Sequence, residues 1–171
     1  MNTKITYQKE NDLYKPIKET LENVLNSKYS EFLLEITAYG HISNKIKEKI
    51  SGNREIIFHF LKEASPDITG YVKNEDPMAF FFEGSDYFFI VIEVKTEKIK
   101  LDHIYQIKKY AELFDAKLAL LITLEEIPEE LKRLSKVNKQ LLSNKEYQIV
   151  ISQYDLVGVE FKEWFPKNPF K

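Results

Sequence analysis

The chain has no cysteine among its 171 residues, and it has few histidines and glycines. Without cysteine there is no disulfide, no thiolate zinc site and no cysteine nucleophile. The three histidines, His41, His59 and His103, are not spaced like the ligands of a metal centre. The sequence therefore argues against disulfide-stapled folds, zinc fingers and histidine-rich metal sites.

Long hydrophobic runs are also missing. No stretch is long enough to cross a bilayer, and residues 1–4 lead into polar sequence without the apolar core of a signal peptide. We therefore expect a cytoplasmic protein with no membrane partner. Its length, with 43% hydrophobic and 30% charged residues, predicts one folded domain over residues 1–171. Its core is expected at about 10–152, followed by an aromatic C-terminal extension at 153–171.

Charge gives little overall guidance. The formal net charge of -2 provides no global attraction to nucleic acid. Locally, five lysines between Lys95 and Lys109 outnumber two acids, and residues 132–139 form a second basic run. Either run could equally be the solvated face of a helix.

Hydrophobic periodicity predicts alternating strands and helices. A first helix with Leu13 and Ile17 on its apolar face follows Asn11 or Asp12, either of which could cap it, and Pro16 would fall in its first turn. Further helices are predicted at 101–114 and 127–142, and a short helix or loop at 42–50. Strands are predicted at 32–39, 55–61, 67–72, 78–82, 86–95, 118–123 and 147–152. This order predicts an α/β domain with a mixed central sheet flanked by helices.

One strand carries charges where its pattern calls for apolar residues. Glu93 and Lys95 end the run 86–95 and point to the same face, because side chains alternate along a strand. Burying an acid and a base in a sheet costs free energy. Asp67 follows Pro66 at the start of the 67–72 strand, so Asp67 and Glu93 converge if the two strands pair. Carboxylates are ligands that Mg²⁺ prefers, and a nearby lysine can orient water or offset charge on a phosphate.

These residues carry a family resemblance. The pair Pro66-Asp67, the triplet Glu93-Val94-Lys95 and a helix with Gln106 and Tyr110 resemble the PD-(D/E)XK nuclease superfamily, in its restriction-endonuclease-like and archaeal resolvase-like branches. The resemblance covers residues 10–123, although residues 31–60 depart from the shortest members. It implies a single restriction-endonuclease-like domain that hydrolyses DNA with Mg²⁺, with Mn²⁺ as a substitute. It also suggests a homodimer, because many such enzymes cut two strands with two copies of one domain.

The resemblance also implies a role for six positions. Glu10 is the least constrained of them, since Asp12, Glu19 and Glu22 lie nearby and Glu10 could simply favour the positive end of the helix dipole. The implied assignments are Mg²⁺ binding by Asp67, Glu93, Glu10 and the carbonyl oxygen of Val94, water activation or orientation by Lys95, and support of the lysine or contact with phosphate by Gln106.

Two other hypotheses remain open. The chain could be a non-catalytic nucleic-acid-binding or assembly subunit that keeps the nuclease-like fold, which its overall acidity and the aromatic tail around Trp164 favour. The tail at 164–170 and the 127–142 helix are candidate contacts of a homodimer, although we expect them to pack onto their own core. Alternatively, Glu93 and Lys95 could be a structural ion pair in an ordinary α/β protein. The sequence does not distinguish DNA from RNA or name a cleaved structure.

Overall fold

Six strands form one mixed sheet in which the spatial order follows the chain order. A computed structural model describes residues 9–49, 52–75 and 86–171. The strands are β1 (Phe32–Ile36), β2 (Ile68–Lys73), β3 (Tyr87–Lys95), β4 (Ala116–Thr123), β5 (Gln148–Asp155) and β6 (Glu160–Phe165). The helices are α1 (Asn11–Asn26), α2 (Asn44–Lys47), α3 (Leu101–Leu113) and α4 (Glu129–Val137), with a 3₁₀ helix at Gly52–Phe60.

The sheet is antiparallel at both edges and parallel in the middle. Strands β1, β2 and β3 pair antiparallel, β3, β4 and β5 pair parallel, and β6 returns antiparallel to β5. Each parallel pair is joined through a helix, α3 between β3 and β4 and α4 between β4 and β5. The prediction of an α/β domain with a mixed sheet flanked by helices is confirmed.

Apolar residues cover both faces of the sheet. On one face, α1 packs through a row at helical spacing that includes Leu13 and Ile17, against Ile90 and Ile92 of β3. On the other face, α3 and α4 pack against alternate strand residues such as Val91. Because β3 and β4 are buried on both faces, they read as nearly continuous apolar runs.

The strand predicted at 55–61 is wrong, because this segment is part of the 3₁₀ helix Gly52–Phe60. Ile57 and Phe58 are neighbours in sequence, and both pack against the apolar cluster on the α3 side of the sheet. A strand would point them to opposite faces, whereas a helical turn lets both reach one core. His59 is exposed.

Two predicted helix boundaries also shift. Helix α1 begins at Asn11, so Pro16 is inside the helix rather than in its first turn, and its ring nitrogen cannot donate to the carbonyl of Asp12. Helix α4 stops at Val137 instead of 142. Asn138 has left the helical conformation, and its side chain accepts a hydrogen bond from the backbone N–H of Gln140 (3.2 Å).

The C-terminal segment belongs to the sheet. Strand β6 lies within the predicted aromatic extension, and Trp164 and Phe170 stack edge to face (ring centroids 5.5 Å apart) over the α1 face. The strand predicted at 78–82 and its hairpin signal fall outside the described residues. No helix in the described ranges has the length and apolarity needed to span a membrane.

Strand β1 approaches β2 closely at Gly70. A Cβ atom placed there would lie 2.0 Å from the backbone carbonyl oxygen of Leu33, which cannot yield without moving β1. We expect Gly70→Ala to lower the free energy of unfolding by at least about 2 kcal/mol in urea denaturation. Gly158→Ala is the matched control, since its added methyl meets only side-chain atoms. Equal stability of the Gly70 variant and the wild type would contradict this packing.

Candidate active site

The candidate site lies at the end of the sheet where β2 begins and β3 ends. Ile68 pairs with Ile92 as the last rung between these strands, so Asp67 and Glu93 follow as neighbours across the strand pair. The start of α1 approaches these carboxylates from one side, and α3 approaches from the other. The strand pairing on which the sequence argument depended is therefore present.

Asp67 is fixed on several sides and is 7% exposed. Its carboxylate accepts a hydrogen bond from the backbone N–H of Val94 (2.7 Å), two residues beyond the last rung, and another from the hydroxyl of Tyr14. Its backbone carbonyl accepts from the N–H groups of Thr37 and Ala38 (2.8 and 3.2 Å). Burial raises the pKa of Asp67 above its ordinary value, although both carboxylate hydrogen bonds oppose the rise.

Glu93 is more deeply buried, at 3% exposed. Its Oε1 accepts hydrogen bonds from Lys95 Nζ (2.8 Å) and Gln106 Nε2 (2.7 Å). Its Oε2 is buried and has no hydrogen-bond partner among the residues the structure describes. Burial, followed by repulsion from Asp67, raises the pKa of Glu93 to about 7.

Lys95 lies among the acids. Its ammonium is 2.8 Å from Glu93 Oε1 and 3.9 Å from Glu10 Oε1. Burial alone would lower the pKa of Lys95, but the hydrogen bond to Glu93 and the attraction of Glu93, Glu10 and Asp67 outweigh it and raise that pKa. In this arrangement the lysine is an ammonium rather than a ready proton acceptor.

Glu10 is the acid of the α1 region that comes near Lys95. The three alternatives lie elsewhere, since Asp12 is exposed and Glu19 and Glu22 face Lys15 and Lys18 one turn away. Burial raises the pKa of Glu10 even though Lys95 attracts its charge. The structure thus brings Glu10 to the edge of the site, where the sequence could not choose among four acids.

Gln106 reaches the site from α3. Its amide also donates to the hydroxyl of Tyr110 (3.2 Å), so one side chain links the helix to the Glu93 carboxylate. One turn earlier, His103 Nδ1 accepts the backbone N–H of Lys100 (3.2 Å) at the start of α3. This contact closes the first turn of the helix that presents Gln106.

Tyr14 belongs to the site and was missed by the sequence argument. Its buried hydroxyl donates to Asp67, and burial together with that bond raises its pKa. The signal was its position four residues after Glu10, which places both side chains on one face of α1. A tyrosine among apolar helix residues usually belongs to the core, so this spacing alone does not identify a site residue.

The residues fit a hard divalent cation. Asp67 and Glu93 offer oxygen ligands, and the buried Oε2 of Glu93, to which no described residue donates a hydrogen bond, is an acceptor that a cation would satisfy. The described residues contain no group of three or more histidine, cysteine or acidic side chains arranged to hold a metal. Mg²⁺ needs no such cage, because it commonly binds through one or two carboxylates and keeps several waters.

Comparisons with known proteins add no family assignment. No protein-family model, curated protein or solved structure matches the chain. Membership of the PD-(D/E)XK superfamily therefore stays a prediction from the motif residues.

The raised pKa of Glu93 predicts how stability depends on pH in the absence of metal. Between the ordinary value of 4.5 and about 7, the folded protein keeps a proton that the unfolded chain releases, so stability falls as pH rises through this window. In EDTA, the wild type should lose on the order of 2–3 kcal/mol of unfolding free energy as Glu93 ionises, and Glu93→Gln should not show this loss. In urea denaturation, the free energy of unfolding of Glu93→Gln should therefore rise relative to that of the wild type between pH 5 and pH 8.

Glu97→Gln is the matched control for this prediction. The hydrogen bond from Lys100 holds the pKa of Glu97 below its ordinary value, so removing Glu97 should bring no stabilisation as the pH rises. If the stability of Glu93→Gln depends on pH in the same way as that of the wild type, the pKa of Glu93 is not raised in the folded protein.

Proposed function

We propose that the protein is a Mg²⁺-dependent endodeoxyribonuclease of the PD-(D/E)XK type. The observation that carries this proposal is the buried Oε2 of Glu93, which has no hydrogen-bond partner in the described part of the chain, beside a second buried carboxylate, Asp67. A structural ion pair accounts for Oε1, which Lys95 and Gln106 satisfy, but leaves Oε2 without a partner among residues 9–49, 52–75 and 86–171. A divalent cation would pair that oxygen and offset the repulsion between the two carboxylates.

The chain's own residues hold the carboxylates ready for such a cation. Tyr14 and the N–H of Val94 fix Asp67, while Gln106 fixes Glu93. The carbonyl oxygen of Val94 and the carboxylate of Glu10 are the further ligands that the family resemblance suggests. When bound, the cation lowers the pKa of its water and offsets negative charge on the phosphate.

Lys95 would act as an ammonium. Its raised pKa favours orienting the attacking water or stabilising negative charge that develops on the phosphate over accepting a proton. Gln106 donates to the same Oε1 atom as Lys95, which supports the role of positioning this pair more than direct contact with phosphate.

A non-catalytic binding or assembly subunit is the second candidate. The net charge of -2, which provides no global attraction to nucleic acid, favours it over a tight DNA-binding enzyme.

A homodimer and a cytoplasmic location are further parts of the proposal. Sedimentation giving a monomer at working concentrations would count against the dimer. The predicted contact through the tail is weakened by the packing of Trp164 and Phe170 onto the chain's own core.

Cleavage assays test the enzyme. Supercoiled, linear, single-stranded and branched DNA are incubated with Mg²⁺, Mn²⁺ or EDTA. We expect cleavage with either metal and none in EDTA. Lys95→Ala should lower the rate by roughly 100-fold or more, because it removes a preorganised charge from a buried site. Lys98→Ala is the matched control, since Lys98 is an exposed lysine close by.

Thermal unfolding provides a reading that does not depend on the substrate. Mg²⁺ should raise the melting temperature of the wild type, because a ligand that binds only the folded state stabilises it, and should raise that of Asp67→Asn much less.

Cleavage by Lys95→Ala at the wild-type rate would refute catalysis at this site. Metal stabilisation with no cleavage of any DNA would favour the non-catalytic alternative.

A further inference from the structure

A pocket of about 380 Å³ opens at the end of the sheet that carries the candidate site, where β1 ends and β2 begins. The carboxylates of the site line neither this pocket nor a larger groove, about 730 Å³, between α1 and β1, but Ala38 of the smaller pocket is hydrogen-bonded to the backbone of Asp67. The smaller pocket is formed by the turn after β1 and by the segment that leads into β2. Its lining residues are Ala38, Tyr39, Gly40, Leu61, Lys62, Glu63 and Ser65.

The backbone of Asp67 links this pocket to the candidate site. Ser65 lies two residues before Asp67, and the N–H of Ala38 donates to the carbonyl of Asp67 (3.2 Å). The turn itself is closed by a bond from the N–H of Gly40 to the carbonyl of Thr37 (2.9 Å), and Gly40 has a φ of 76° that favours glycine. A ligand in the pocket would therefore lie at a fixed position relative to Asp67.

The chemistry of the pocket suits a neutral aromatic ligand. Tyr39, one of its lining residues, is 65% exposed, so much of this aromatic residue is accessible to a ligand. Lys62 and Glu63 contribute opposite formal charges, so the pocket has no net attraction for a phosphate. A nucleobase is uncharged, stacks on tyrosine and offers both hydrogen-bond donors and acceptors to such a pair.

We propose that this pocket binds one unstacked base of the nucleic-acid substrate, with Tyr39 as its stacking platform. The inference rests on the proposed nuclease function and specifies the substrate class. A base inside a duplex is paired and stacked on both sides, so it cannot enter a pocket without being extruded. The protein should therefore act on DNA with unpaired nucleotides beside the cleaved bond, in preference to continuous duplex.

Binding of a fluorescent strand tests the pocket separately from catalysis. The probe is a single strand of about 12 nucleotides containing 2-aminopurine, titrated in Ca²⁺ after intact probe has been verified on a gel. Base stacking predicts that Tyr39→Ala weakens binding roughly 5- to 100-fold and reduces the quenching of 2-aminopurine, whereas Tyr39→Phe retains both. Tyr105→Ala is the control, because Tyr105 is similarly exposed (54%) but lies on α3.

The outcomes separate the two proposals. Both proposals are supported if two results are obtained. Tyr39→Ala, but not Tyr105→Ala, loses binding of the strand, and the wild type in Mg²⁺ cleaves single-stranded or branched DNA faster than duplex. If the wild type cuts duplex as fast as unpaired DNA and Tyr39→Ala binds the strand normally, the pocket inference is overturned while the nuclease stands. The same loss in Tyr105→Ala as in Tyr39→Ala would also overturn the pocket inference. Selective loss of binding with no cleavage of any DNA supports the pocket and refutes the nuclease.

Discussion

The antiparallel register between β2 and β3 is the constraint on which the site depends. It ends with Ile68 opposite Ile92, so two acids follow where the ladder stops. Because side chains alternate with a period of two, a slip of one residue would turn Glu93 and Lys95 to the opposite face. The register is held by apolar side chains packed on both faces of β3. The core thereby fixes the relative position of two carboxylates that destabilise each other.

Charge is out of balance at this end of the sheet. Three carboxylates, those of Asp67, Glu93 and Glu10, surround one ammonium, that of Lys95. Helix α1 stabilises Asp67 through Tyr14, and α3 stabilises Glu93 through Gln106. Neither helix provides a partner for Oε2 of Glu93. Burial raises the pKa values of all three acids, and for Glu93 and Glu10 repulsion from neighbouring carboxylates adds to the rise.

Much of this could be predicted from local pattern. The charge-free run before Glu93 and the helical period of α3 gave the strand–helix–strand unit, and the Pro66-Asp67 pair gave the second acid. The 3₁₀ helix Gly52–Phe60 could not be predicted, because its apolar residues do not follow a helical or strand period. Their positions depend on the surface that they cover. Strand β6 was missed because its aromatic residues suggested a tail, and its pairing with β5 is a long-range property. Tyr14 and the choice of Glu10 depend on how α1 meets the sheet, which sequence spacing does not specify.

A crystal of the protein soaked in Mn²⁺ would test the central claim most directly, through an anomalous difference map. We expect a peak within coordination distance of the Asp67 carboxylate and of Glu93 Oε2, with Lys95 beside it and no peak of equal height elsewhere in the molecule. An empty site at saturating Mn²⁺, with Oε2 of Glu93 still unpartnered or protonated, would contradict the account and leave Glu93 and Lys95 as a structural ion pair.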